Sequence, residues 1–170
     1  ARILVSNDDG VHATGIKILE RIARTLSKDV WVVAPESEQS AVSHSRTIRR
    51  PLRIRRNRVR RYVVDGTPTD SVLLAINHIL KDDRPTLCLS GINRGANLGE
   101  DVSYSGTVAA AMEATMLGVP AIALSQVHTH GHPVKWATAE HHAAKVIRKL
   151  AKVGWPANTL VNVNFPDVMA

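Results

Sequence analysis

ILVSNDDG, residues 3–10, sets an apolar run, Ile3-Leu4-Val5, almost directly against two adjacent carboxylates, Asp8 and Asp9. A short run of aliphatic residues bounded by polar ones is the pattern of a strand buried on both faces. The carboxylates then stand where that strand leaves the core. Like charges this close repel, and burial strengthens the repulsion by lowering the dielectric. Water or a positive charge must relieve them.

The same unit recurs along the chain. A helical period follows over 14–27, with Ile16, Leu19, Ile22, Ala23 and Leu26 on one face. Further short apolar strands are expected at 30–34, 86–89, 121–124 and 160–165. Helices are expected from Thr67, over 107–117 and over 135–152. Thr67-Pro68-Thr69-Asp70 is a helix start, with Thr67 as cap, Pro68 in the first turn and Asp70 three residues on. Gly118 and Pro120 close one helix and Gly154 another. Strand alternates with helix and no repeat or low-complexity linker interrupts them. The pattern predicts an α/β Rossmann-like three-layer sandwich, a mostly parallel central sheet with helices on both faces. The segment 46–64, where Ile48, Leu52, Ile54 and Val59 sit among basic residues ahead of Tyr62-Val63-Val64, reads as a β-hairpin excursion whose Ile48, Leu52 and Ile54 pack inward.

The 170 residues suit a single domain, 1–170, and 44% hydrophobic content suits a globular one. Cys88 is the single cysteine and lies in an apolar run, which reads as a buried thiol in a reducing, cytoplasmic compartment. The stretch 107–124 is broken by Glu113, Gly118 and Pro120, so no membrane span is expected. The formal charge of +7 is local: nine arginines and no acid fall within 46–61, and without them the balance is −2. That describes one basic feature, not a surface coated for nucleic acid.

In a parallel sheet, ligands bind beyond the carboxyl ends of the strands. Three polar loops follow apolar strands: Asp8-Asp9, Ser40 in PESEQSAVSHS (35–45) and Asn93 in SGINRG (90–95). They lie at one sheet edge and offer two carboxylates, a hydroxyl and an amide carbonyl. Hard oxygen donors of this kind suit a divalent cation, magnesium, manganese or calcium, and not zinc or copper. Asn7, Asp8 and Asp9 equally suit an ordinary polar turn. In YSGTVAAAMEA (104–114), Ser105 or Thr107 can cap a helix whose free N–H groups attract a phosphate, and Gly106 lets it approach the backbone. Ordinary capping explains the same residues. Arg94 and Asn97 can contact an anion or brace their loop. His44 can act as acid, base or phosphate contact, or be a solvated loop residue. HTHGH (128–132) reads as a surface loop, not a metal centre.

The stretches ILVSNDDGVHATGI, VVAPESEQSAVSHS, VDGTPTDSV, LSGINRGANLGEDVSYSGTVAAAMEA and NVNFP together resemble the SurE family of stationary-phase survival proteins, collinearly and over essentially the whole chain. The resemblance implies a metal-dependent 5′/3′-nucleotidase acting on nucleoside monophosphates, in some members also on short polyphosphate. It places the metal ligands on Asp8, Asp9, Ser40 and Asn93, and phosphate-side residues around Asn97, Ser105, Gly106 and Thr107. Catalysis is then expected from Asp8, Asp9 and Asn97, with His44 on the substrate. Members run several dozen residues beyond NVNFP, a part that helps build homodimers and homotetramers, and begin with Met where this chain has Ala1. That part is expected to be absent here. The alternatives are a haloacid-dehalogenase-like phosphatase, which the adjacency of Asp8 and Asp9 disfavours, and a nucleotide-binding protein without turnover.

Overall fold

The computed structural model describes residues 1–169. Seven strands form one sheet: β1 (Arg2–Ser6), β2 (Asp29–Pro35), β3 (Ile54–Arg58), β4 (Arg61–Val64), β5 (Leu87–Arg94), β6 (Ala121–Gln126) and β7 (Val161–Phe165). Their order is β3-β4-β2-β1-β5-β6-β7, and every neighbouring pair is parallel except the hairpin β3–β4. The helices are α1 (Thr14–Leu26), α2 (Pro68–Leu74), α3 (Asp101–Tyr104), α4 (Gly106–Met116) and α5 (Trp136–Val153).

Side chains alternate across β1. Ile3 and Val5 join the core beneath α1 and α5, and Leu4 joins the core beneath α2 and α4. All three are at most 2% exposed, each burial contributing about 1.5–3 kcal/mol. The three layers expected from the sequence are therefore present. Helix α4 approaches the sheet closely because Ala109, Ala110, Ala111 and Ala114 give it a small buried face. From β1 the chain steps to β2 on one side and returns to β5 on the other. The strand order reverses between β1 and β5, the position where such sheets open a crevice.

The capping box at α2 forms as expected: the Thr67 side chain accepts from the Asp70 N–H, and Asp70 accepts from the Thr67 N–H. Asp70 also accepts from the backbone and hydroxyl of Thr47, so one buried carboxylate ties the β2–β3 loop to α2. The helix continues beyond Leu74 as a π-helical turn over Ala75–Ile79.

Two expectations are corrected. Strand β5 does not stop at Leu89 but runs to Arg94, so Asn93 lies on a strand end. Pairing with β6 is interrupted after Ser90 and resumes at Asn93↔Ser125; backbone hydrogen bonds carry the strand through a stretch without an apolar run. The hairpin excursion is present as β3–β4, but its strand pairing begins only at Ile54, and Ile48 is 83% exposed where inward packing was expected. Ahead of β3 the Thr47 N–H donates to Asp70 and the Arg53 N–H to Asp65, while the Arg53 carbonyl accepts from the Asp65 N–H.

Candidate metal and phosphate site

The turn after β1 carries the pair of carboxylates. Asn7 donates to the Gly10 carbonyl, and Gly10, at φ +94°, turns the chain back toward β2. There the Val11 N–H donates to the Pro35 carbonyl, and the Gln39 N–H donates to the Asp8 carbonyl. The first two loops are thus joined by main-chain bonds. The third is joined through Arg94, whose N–H reaches Asp9 at 3.4 Å.

These bonds bring Asp8, Asp9, Ser40, Asn93, Asn97, Ser105 and Gly106 onto one cleft of about 260 Å³ at the switch point. Burial, the largest cause, raises the Asp8 pKa, and its bonds to Thr107 oppose that rise. Asp9 is pushed up to about 6, first by burial and then by the charge of Asp8. Two carboxylates that the fold makes costly to ionise side by side have the electrostatics of a cation site. The neutral donors keep the required atoms available. Ser40 donates its proton to Glu38 at 2.6 Å, leaving lone pairs on its oxygen. Asn93 donates its amide N–H to the Gly95 carbonyl, leaving its side-chain oxygen without that duty. This oxygen-only set fits a hard divalent cation.

The Ser105–Thr107 stretch is built differently from the expectation. Ser105 is the cap, its side chain accepting from the Val108 N–H. Thr107 is fully buried and donates its hydroxyl to Asp8, with a backbone bond to the same carboxylate. The anion nearest the start of α4 is therefore Asp8. Gly106 serves the same contact: a Cβ there would lie 2.7 Å from the Asp8 Cβ. Ser105 and Gly106 line the cleft, whereas Thr107 stands behind it.

Asn97 lines the cleft and is held from behind. Its side-chain amide donates to Ser125, its N–H donates to Asn164, and its carbonyl accepts from Asn162 and Asn164. His44 does not line the cleft. Its Nε2 lies 2.6 Å from the buried carboxylate of Glu113 on α4. Glu38, on the cleft wall, was not singled out from the sequence, although it lies two residues before Ser40 in the same loop. Asn162 and Asn164 were also missed; their period-two spacing on β7 was the available signal. Among the described residues, no three His, Cys, Asp or Glu side chains gather as a metal cluster, the HTHGH loop included.

The family model for survival protein SurE matches residues 3–170. A 5'-nucleotidase SurE from Paramagnetospirillum magneticum is 73% identical over 169 residues, 99% of this chain and 65% of that protein. Another, from Parvibaculum lavamentivorans, is 58% identical over 170 residues, 99% of this chain and 61% of that protein. The chain thus spans less than two thirds of the length of these relatives. The crystal structure of the SurE protein from Aquifex aeolicus superposes with a TM-score of 0.91 at 40% identity, covering 99% of this chain and 67% of that one.

Proposed function

Because the chain belongs to the SurE family, we propose that it hydrolyses nucleoside monophosphates with the help of one divalent cation, magnesium or manganese, held by Asp8, Asp9, Ser40 and Asn93. The observation that carries the reading is the meeting of two raised-pKa carboxylates with neutral oxygen donors in one cleft at the switch point. When bound, the ion supplies concentrated positive charge to the phosphoryl oxygens.

The chain's own residues divide the remaining work. Asp8 is fixed by Thr107 and acts as the rigid ligand. Asp9 is tied only by the long Arg94 bond, and its freer carboxylate orients the attacking water. Asn97, braced by Ser125 and β7, presents a polar wall to the phosphoryl group, with Ser105 and Gly106 opposite. His44 keeps the Ser40 loop on α4 through Glu113. Short polyphosphate as a second substrate and assembly into homodimers or homotetramers are proposed from the family resemblance. A cytoplasmic setting is proposed from the single, buried Cys88; no helix among the described residues is long and apolar enough to cross a membrane. The adjacency of Asp8 and Asp9 and the match to a different family leave the haloacid-dehalogenase alternative unfavoured.

The test is phosphate release from nucleoside monophosphates with manganese or magnesium, before and after chelation. Chelation is expected to abolish release and either ion to restore it. Full activity in excess chelator refutes the metal reading, and no release under any ion leaves the nucleotide-binding alternative.

A further inference from the structure

The cleft continues beyond Asp9. A second cavity of about 540 Å³ shares Asp9, Glu38 and Arg94 with it. That volume is ordinary for a small-molecule pocket, whereas the metal cleft alone, about 260 Å³, falls below that range. The two spaces differ in chemistry. The metal cleft is walled by carboxylates, amides and hydroxyls. The second adds Pro133, Val134 and Trp136 and the start of α1 at Ala13, Thr14 and Gly15.

Trp136 is the first residue of α5 and is half-buried, packed against the α1–α5 core and lining the cavity. The Trp136 backbone N–H donates to the Val134 carbonyl at 3.0 Å, at the start of the helix. Arg94 stands at the junction. Its guanidinium is exposed and has no carboxylate partner among the described residues, while its N–H is on Asp9. A cation at the meeting of a polar cleft and an aromatic wall suits a ligand with an anionic end and a flat apolar end.

We propose that this cavity receives the nucleoside part of the substrate, with the base stacked on Trp136 and Arg94 placed between base and phosphate. The assignment rests on the nucleotidase reading above and makes Trp136 a specificity-determining residue for it. Tyr104 is the rival platform. It lines the metal cleft, not the second cavity, and is 65% exposed. Stacking rewards ring area, so purine monophosphates are favoured over pyrimidine ones.

The experiment uses the magnesium-loaded chain with AMP, ribose 5-phosphate and β-glycerophosphate. Trp136→Ala is expected to raise KM for AMP by roughly tenfold, the usual scale for losing one stacked base, and to leave KM for β-glycerophosphate in place. Trp136→Phe should recover most of the loss. In a chain carrying Trp31→Phe and Trp155→Phe, Trp136 is the remaining indole. AMP should quench its fluorescence and ribose 5-phosphate should not. Equal KM changes for AMP and β-glycerophosphate overturn the proposal, as does an AMP effect that follows Tyr104→Ala and not Trp136→Ala. If no phosphomonoester is hydrolysed at all, the nucleotidase reading fails. The quenching contrast then decides the pocket alone: quenching by AMP keeps it, and equal response to both ligands removes it.

Discussion

Asp9→Asn separates what Asp9 costs the fold from what it gives the site. The fold raises the pKa of this carboxyl from 3.8 to about 6, chiefly by burial and secondly through Asp8. At about 1.36 kcal/mol for each tenfold in proton affinity, that corresponds to about 3 kcal/mol of resistance to ionisation. Asp9 is only half-buried, and solvent screening brings the figure to about 1–2 kcal/mol. A carboxyl whose pKa is raised on folding contributes stability that is complete below its unfolded pKa and is lost as pH rises through the folded one. The window here runs from 3.8 to about 6. At pH 7.5 the metal-free chain bears the full cost, and the neutral amide removes it. Asp9→Asn should therefore be the more stable metal-free protein at pH 7.5, by roughly 3–6 °C in Tm for a domain of this size. The advantage should shrink to about half at pH 5. On the proposed metal site, adding magnesium should reverse the ranking, because an ion bound to the native wild-type chain would stabilise it by mass action. Thermal melts at the two pH values, with chelator and with magnesium, measure all of this. A variant less stable than wild type without metal at pH 7.5, or an advantage unchanged at pH 5, refutes the reasoning.

Gly106→Ala puts a methyl group 2.7 Å from the Asp8 Cβ. Metal affinity and turnover should fall together, by about 10–100-fold, as when a group that orients a metal ligand is disturbed; calorimetric metal titration beside phosphate release checks it, and turnover lost with affinity intact rejects the coupling. In the basic segment, Arg55 is paired with Glu36 at 3.1 Å, whereas Arg56 and Arg58 have no carboxylate partner among the described residues. Arg56→Ser with Arg58→Ser should raise KM for polyphosphate roughly tenfold at low salt and leave mononucleotide KM in place, because only a long polyanion spans several arginines; equal effects on both return the segment to a solvated edge.

The sheet was legible because its central strands are short aliphatic runs alternating with helical periods, whereas the strand order came from the structure. The three loops proposed to hold the metal could be selected from the polar residues that follow those strands. What escaped was set by neighbours distant in sequence. Nothing around Thr107 announces that its hydroxyl turns to Asp8, and Gly106 looks like a phosphate turn until Asp8 is seen against it. His44 reads as a site residue by position, yet a carboxylate 69 residues further on takes its ring. The end of β5 was hidden because its polar residues pair through the backbone, which leaves no trace in hydrophobic periodicity. Ile48 and its neighbours alternate like a strand, but Asp65 and Asp70 claim the backbone there first.

Gly15 has no room for a side chain: a Cβ would lie 1.9 Å from the Ile92 carbonyl oxygen. The first turn of α1 therefore rests directly on the backbone of β5, one residue before Asn93. The spacing between the first and third loops is set by main chain touching main chain, with no side chain as spacer. If Asp8 and Asn93 hold a cation as proposed, core packing and the spacing of its ligands become separate traits. Repacking Leu19 in the core beneath α1 should change how readily the domain melts, while the main-chain contact at Gly15 stays as it was.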